Sequence, residues 1–262
     1  VIFVETLRRN WKATAGWAAS LASLALYVVV AVPDTKALQM YGTLFKDTPK
    51  FAMLILGGDA AALASPAGLY GAFFFGWIML VLATYAVICG LSITANDEDR
   101  GILDIMVSMP TPRWRIVVEK FAAYTVNMCV IAFVAFLGIW LSTLNSTVFD
   151  LQVGTIFAAC LNLVPPMALT MAFTAFVAAI VRRRTVAMGI AGAFVVVSYM
   201  LDVVGSQTAG GALSKLSYFN YYNGMMSLVR GPELSSMLFL IVIAIALGAG
   251  TVYMFQRRDV GL

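Results

Sequence analysis

The residues of this chain best suited to chemistry in water gather in one interval, 96–120. It reads Asn-Asp-Glu-Asp-Arg-Gly-Ile-Leu-Asp-Ile-Met-Val-Ser-Met-Pro-Thr-Pro-Arg-Trp-Arg-Ile-Val-Val-Glu-Lys. Asp97, Glu98 and Asp99 stand where a helix N-terminus favours negative charge. Ile102, Leu103, Ile105, Met106 and Met109 then recur at helical spacing and share one face. Pro110 and Pro112 end the run. A helix of about ten residues is roughly 15 Å long, half of what a bilayer core requires. The chemistry on offer is recognition: the apolar face lies on a membrane surface or presses against another protein. A plain solvated loop fits the composition equally well.

Other chemistries lack their residues. The chain has no histidine, which removes zinc-peptidase motifs, haem ligation by His and any Ser-His triad. Cys89, Cys129 and Cys160 lie far apart inside apolar runs and read as small hydrophobes, not as disulfides or metal ligands. No Gly-x-x-x-x-Gly-Lys-Ser/Thr occurs, so no phosphate-cradling loop of that kind is present. No basic stripe interleaved with aromatics suggests nucleic acid. Paired carboxylates within a span are missing too, which weakens an intramembrane enzyme.

The elements that must position the interval are membrane spans. At 61% hydrophobic, 11% charged and a mean hydropathy of +0.91, the 262 residues carry about half the charge of a soluble fold. Apolar runs predict six transmembrane helices at 13–32, 69–95, 116–144, 154–181, 185–204 and 234–255. Ahead of them, Phe3, Leu7 and Trp11 recur every four residues beside Arg8, Arg9 and Lys12, the pattern of an interfacial helix. A signal peptide is the rival reading, disfavoured because further spans follow and no small-residue cleavage pattern closes the run. The sequence starts at Val1 without Met, and a few preceding residues are expected. The stretch 34–68 reads as an external loop holding a short helix, and 51–56 is too short to cross.

Twelve of the 17 Lys and Arg fall in the N-terminal segment, the 96–120 interval, the Arg182–Arg184 turn and the tail; five fall in the opposite loops. The positive-inside rule therefore puts both termini, and the interval, in the cytoplasm. Polar and aromatic residues within spans are the candidate pathway: Phe74, Trp77 and Tyr85 in the second, Asn127 in the third, Asn162 in the fourth and Tyr199 in the fifth, although an interfacial belt is the commoner use of aromatics such as Phe74 and Trp77. For Asn127 and Asn162, hydrogen bonding between helices is the commoner use. Asp202 sits near the outer end of its span. Few midplane charges leave little to build a proton relay from, which disfavours a secondary transporter or channel, the alternative reading.

The interval resembles the first cytoplasmic loop of ABC-2 type permeases, the membrane subunits of ATP-binding cassette exporters. The resemblance rests on Glu98-Asp99-Arg100-Gly101, the apolar helix, Ser108-Met109-Pro110, Arg113-Trp114-Arg115 and Lys120-Phe121. Ile102 stands where the family has Thr, and Asp104 where it has a second Glu. Leu216-Ser217-Tyr218-Phe219-Asn220-Tyr221-Tyr222 is similar to the family's Leu-Ser-Pro-Phe-x-Tyr segment, with Tyr218 for Pro, and Phe255-Gln256-Arg257-Arg258-Asp259 to its ending. The resemblance implies an all-α integral membrane protein forming one transmembrane domain over 1–262. It implies an N-terminal elbow helix, a cytoplasmic coupling helix and a re-entrant external segment before the last span. It also implies an exporter in a cytoplasmic membrane, of a prokaryote. The coupling residues would be Glu98, Arg100, Gly101, Ile102, Leu103, Ile105, Met106, Met109, Pro110 and Arg113. No cofactor is expected on this chain; ATP and Mg belong to two copies of a separate ATPase, beside a second permease copy in a homodimer. An amphipathic or apolar cargo is favoured.

Overall fold

A chain segment crossing lipid must satisfy its backbone polar groups within itself, and an isolated segment can do so only as a helix. The computed structural model meets that requirement six times over. It describes residues 2–46, 65–94, 112–144, 146–181, 183–205 and 213–257. Among the described residues six helical stretches are long and apolar enough to span a bilayer: Ile2–Ala31, Pro66–Ile93, Trp114–Thr143, Val153–Val181, Arg184–Gly205 and Leu234–Gln256. The protein is an all-α integral membrane protein. The spans alternate in direction, so the start of the first and the end of the last share one end of the bundle, here the terminal end; the other is the far end.

α1 (Ile2–Ala31) is one unbroken helix, with no separation between the basic N-terminal turns and the span. The reason is a single seam. Thr6, Thr14, Ala18, Leu21, Ala25 and Val28 are all buried at helical spacing, so the stripe that faces the bundle runs through both parts. The Phe3, Leu7, Trp11 stripe lies off this seam, and Trp11 is 58% exposed. After Pro33, Asp34 Oδ1 accepts a hydrogen bond from the Ala37 amide at 2.7 Å and starts α2 (Thr35–Lys46). This is the described helix of the 34–68 stretch; residues 51–56 lie outside the described residues.

α3 (Pro66–Ile93) begins with Ser65 capping the Gly68 amide at 3.1 Å and Pro66 in the first turn. It passes through a π-helical turn at Gly71–Gly76 before resuming as α-helix at Trp77. α4 (Arg113–Thr143) follows, then α5 (Val153–Leu161) and α6 (Val164–Val181). The break between these last two follows from Pro165 and Pro166, which leave the Leu161 and Asn162 carbonyls without helical donors. α7 (Arg184–Gly205) and α9 (Leu234–Gln256) close the set. Between them, at the far end, sit 3₁₀ turns at Ser214–Leu216 and Met225–Leu228 around α8 (Tyr218–Tyr222).

α6 is the hub, packing against α9, α3 and α7, while α1 and α4 run side by side in parallel. Small residues set these approaches, as expected where lipid supplies no hydrophobic drive between helices. A Cβ on Gly138 of α4 would come 2.8 Å from the Ala22 Cα, and one on Gly90 of α3 would come 2.6 Å from the Met171 carbonyl oxygen. Gly138→Leu should therefore destabilise the fold by about 1–3 kcal/mol through overpacking, read as a lower midpoint in thermal or denaturant unfolding. Gly154→Ala, in open space, should stay within about 0.5 kcal/mol of the parent.

Candidate functional site

Residues 95–111, and with them Glu98, Arg100, Gly101, Ile102, Leu103, Ile105, Met106, Met109 and Pro110, lie outside the described residues; of Arg113 only the backbone is described. What is described is the base on which this interval stands. α3 ends at Ile93 and α4 begins at Arg113, both at the terminal end. Two adjacent residues of α4 tie that base to its neighbours. Lys120, buried at 6% exposure, reaches back with Nζ to the carbonyl oxygens of Ser92 at 3.3 Å and Ile93 at 3.1 Å. These are last-turn carbonyls, where a cation is favoured by the helix dipole. Glu119 does the converse. Its Oε2 accepts from the Phe3 amide at 3.0 Å, in the first turn of α1, and its Oε1 accepts from Arg115 Nε at 2.7 Å. Each charge meets the helix pole of opposite sign.

Above this base lies a polar seam between α1, α3 and α4. Thr6, Asn10 and Thr14 recur every four residues on α1. Asn10 Nδ2 donates to Tyr124 OH at 3.2 Å, and Thr14 Oγ1 lies 3.4 Å from Tyr85 OH. Trp17 packs on the Tyr85 ring with centroids 5.6 Å apart. Tyr85 is thus placed in the terminal half. Asn127 is buried in the same half of α4, and its Nδ2 lacks a hydrogen-bond partner among the described residues.

At the far end the break in the fourth span is used. Asn162 Nδ2 donates to the Tyr222 carbonyl at 2.7 Å and to Ser227 Oγ at 3.0 Å, pinning α8 and the turn after it to the bundle. Tyr222 OH donates to the Phe75 carbonyl at 3.2 Å, inside the π-helical turn of α3. Complete burial raises the pKa of this hydroxyl well above the ordinary tyrosine value, so it remains a donor. Tyr199 of α7 meets Phe219 edge-on at 5.5 Å. Phe74 is fully buried, against Phe75 at 4.9 Å and Tyr70 at 6.0 Å. Trp77 is 42% exposed, turned away from the core.

The six pathway candidates therefore do not form one site. Asn162 and Tyr199 meet α8 at the far end, Phe74 packs on Tyr70 and Phe75 within α3, Tyr85 and Asn127 lie in the terminal half, and Trp77 faces outward. Sequence reasoning gave no role to Glu119, Asn10, Thr14, Tyr124 and Ser227, and met Tyr222 only within the stretch that carries the resemblance. Two signals were there to find: an adjacent pair of opposite charges just inside a span, and a four-residue polar repeat ahead of an apolar one.

Over residues 7–260 the chain matches the family model described as ABC-2 family transporter protein. The chain belongs to the ABC-2 transporter family. No curated protein matches it. Membership makes this chain a membrane permease subunit of ABC-2 type, and such permeases in general pair with an ATPase subunit. Among the described residues no three His, Cys, Asp or Glu side chains gather as a metal site would need.

Asn162→Leu should strand the buried Tyr222 carbonyl and cost about 1–3 kcal/mol, read as a lower unfolding midpoint of the purified protein. Lys120→Met should loosen the end of α3. The expected outcome is faster protease cleavage within 95–111 at unchanged expression, followed by gel and mass spectrometry.

Proposed function

We propose that this chain is the permease subunit of an ATP-driven exporter, with residues 96–111 as the coupling helix that receives the stroke of a separate ATPase. The observation that carries the reading is the base around that interval. Its two flanks, at Ile93 and Arg113, are bound together through Lys120, and Glu119 extends the tie to the start of α1. A push on the interval then moves three helices at once. Family membership supports the pairing with an ATPase, and the Lys and Arg distribution supports a cytoplasmic position for the interval and both termini.

In this reading the domain spans 1–262, two permease copies stand over two ATPases, and the basic start of α1 serves as the elbow. The α8 segment and its flanking turns act as a re-entrant plug on the external side. ATP closes the ATPase pair, whose grooves carry Glu98, Arg100, Gly101 and the apolar face from Ile102 to Met109, with Pro110 and Arg113 fixing the exit. The bundles then exchange inward- and outward-open arrangements around an amphipathic or apolar cargo. Tyr85 and Asn127 would meet it from the terminal half, and Asn162, Tyr199, Phe74 and Trp77 from the far half.

The test is co-purification with the ATPase, reconstitution into vesicles, and parallel assays of ATP hydrolysis and cargo movement over a compound panel. Glu98→Ala, Gly101→Val and Met106→Asp should each lower transport tenfold or more while leaving basal ATP hydrolysis within about twofold. Transport at the parental rate in all three would reject this role for the interval.

A further inference from the structure

The break that turns Asn162 inward has an outward counterpart. Beside the break, where α5 stops at Leu161 and α6 restarts at Val164, a cleft of about 240 Å³ lies between the fourth span and α4. Its lining includes Cys129, Ala132, Phe133, Phe136, Phe157 and Cys160, with Leu161 on the rim. The floor is made of small side chains: Ala132 is 4% exposed and Cys160 1%. The walls are aromatic and stand outward, with Phe133 52% exposed, Phe157 47% and Leu161 45%. Phe136 and Phe157 brace each other edge-on at 5.4 Å.

We propose that this cleft holds one acyl chain of a membrane phospholipid. Its depth fits. Cys129 to Phe136 occupy the middle and far half of the span Trp114–Thr143, and Phe157 to Leu161 the first half of Val153–Val181, which enters from the far end. The α4 stretch falls at hydrocarbon depth by its place in the span, and Phe157 to Leu161 runs towards that depth from the far end. Its chemistry fits as well. No hydroxyl, amide or charge lines it, so it offers nothing to water or to a polar ligand. The surrounding medium supplies flexible apolar chains that regain the dispersion contacts an empty cleft would forfeit. A second copy of the chain is the rival occupant, but its demand lies elsewhere. The least covered spans are Leu234–Gln256, with 17% of its apolar window buried, and Ile2–Ala31 and Arg184–Gly205 with 28% each; the two that form the cleft have 50% and 67%.

The full-length chain, purified and exchanged into defined dioleoyl phosphatidylcholine, would be examined by native mass spectrometry beside Ala132→Trp, which fills the floor, and Leu161→Trp, which closes the rim. Val81→Trp, on the exposed side of α3, serves as the control. The parent and the control should retain one phosphatidylcholine per chain more than either cleft variant. Should Ala132→Trp fail to fold, the rim variant alone decides. Equal lipid counts in the parent and the folded cleft variants would overturn the proposal. So would a loss of dimer, in place of lipid, in those variants, since it would put a second copy in the cleft. Neither result bears on whether ATP drives transport.

Discussion

A backbone carbonyl or amide without a partner in hydrocarbon costs several kcal/mol, and this single constraint explains most of the polar side chains inside the bundle. Regular helix satisfies it automatically. At two departures from regularity, the π-helical turn of α3 and its end, a side chain supplies the missing group. The π-helical turn of α3 is met by the Tyr222 hydroxyl at the Phe75 carbonyl, and the end of α3 by Lys120. The Pro165–Pro166 break brings Asn162 within reach of the chain at Tyr222. Tyr70 likewise donates to the Ala25 carbonyl of α1 at 3.0 Å, joining two spans. Polar residues in this membrane domain are first a repair set for broken geometry, and only then candidates for contact with cargo.

These repairs also connect the two ends of the molecule to its middle. At the terminal end, two neighbouring charges on α4 hold the ends of two other helices, each at the pole that suits its sign. At the far end, one amide links the fourth span to α8, whose last tyrosine reaches the irregular turn of α3. α3 is thus gripped at both ends, by α4 and by α8, and it is the helix that leads directly into the interval 95–111. Neither grip needs an extended salt-bridge network.

Hydropathy made the spans legible to within a few residues, because the property it measures, burial in lipid, is the force that defines them. The first span is the exception at its start. Hydropathy dropped residues 2–12 because they carry Arg8, Arg9 and Lys12. Helix continuity, however, depends on the seam through Thr6, Asn10 and Thr14, which is polar and invisible to a hydropathy window. The proline break was legible from Pro165 and Pro166 alone, since the missing amides are written in the sequence. What Asn162 does with that break was not, because its partners lie 60 and 65 residues away. Phe74 shows the opposite limit: a sequence marks an aromatic in a span but not its neighbours, which in this structure are Tyr70 and Phe75.

The spans differ in length, and this matters for the membrane they inhabit. α1 and α4, at 30 and 31 residues, are roughly 45 Å long, whereas α7, at 22 residues, is about 33 Å. α7 and α9 match the hydrocarbon thickness over their whole length, whereas α1 and α4 extend beyond it, α1 through its basic first turns. Thinning or thickening the bilayer would therefore strain some helices far more than others, at a fraction of a kcal/mol per Å of mismatch. A bilayer of another thickness would be accommodated chiefly by the tilt of the long helices relative to the short ones.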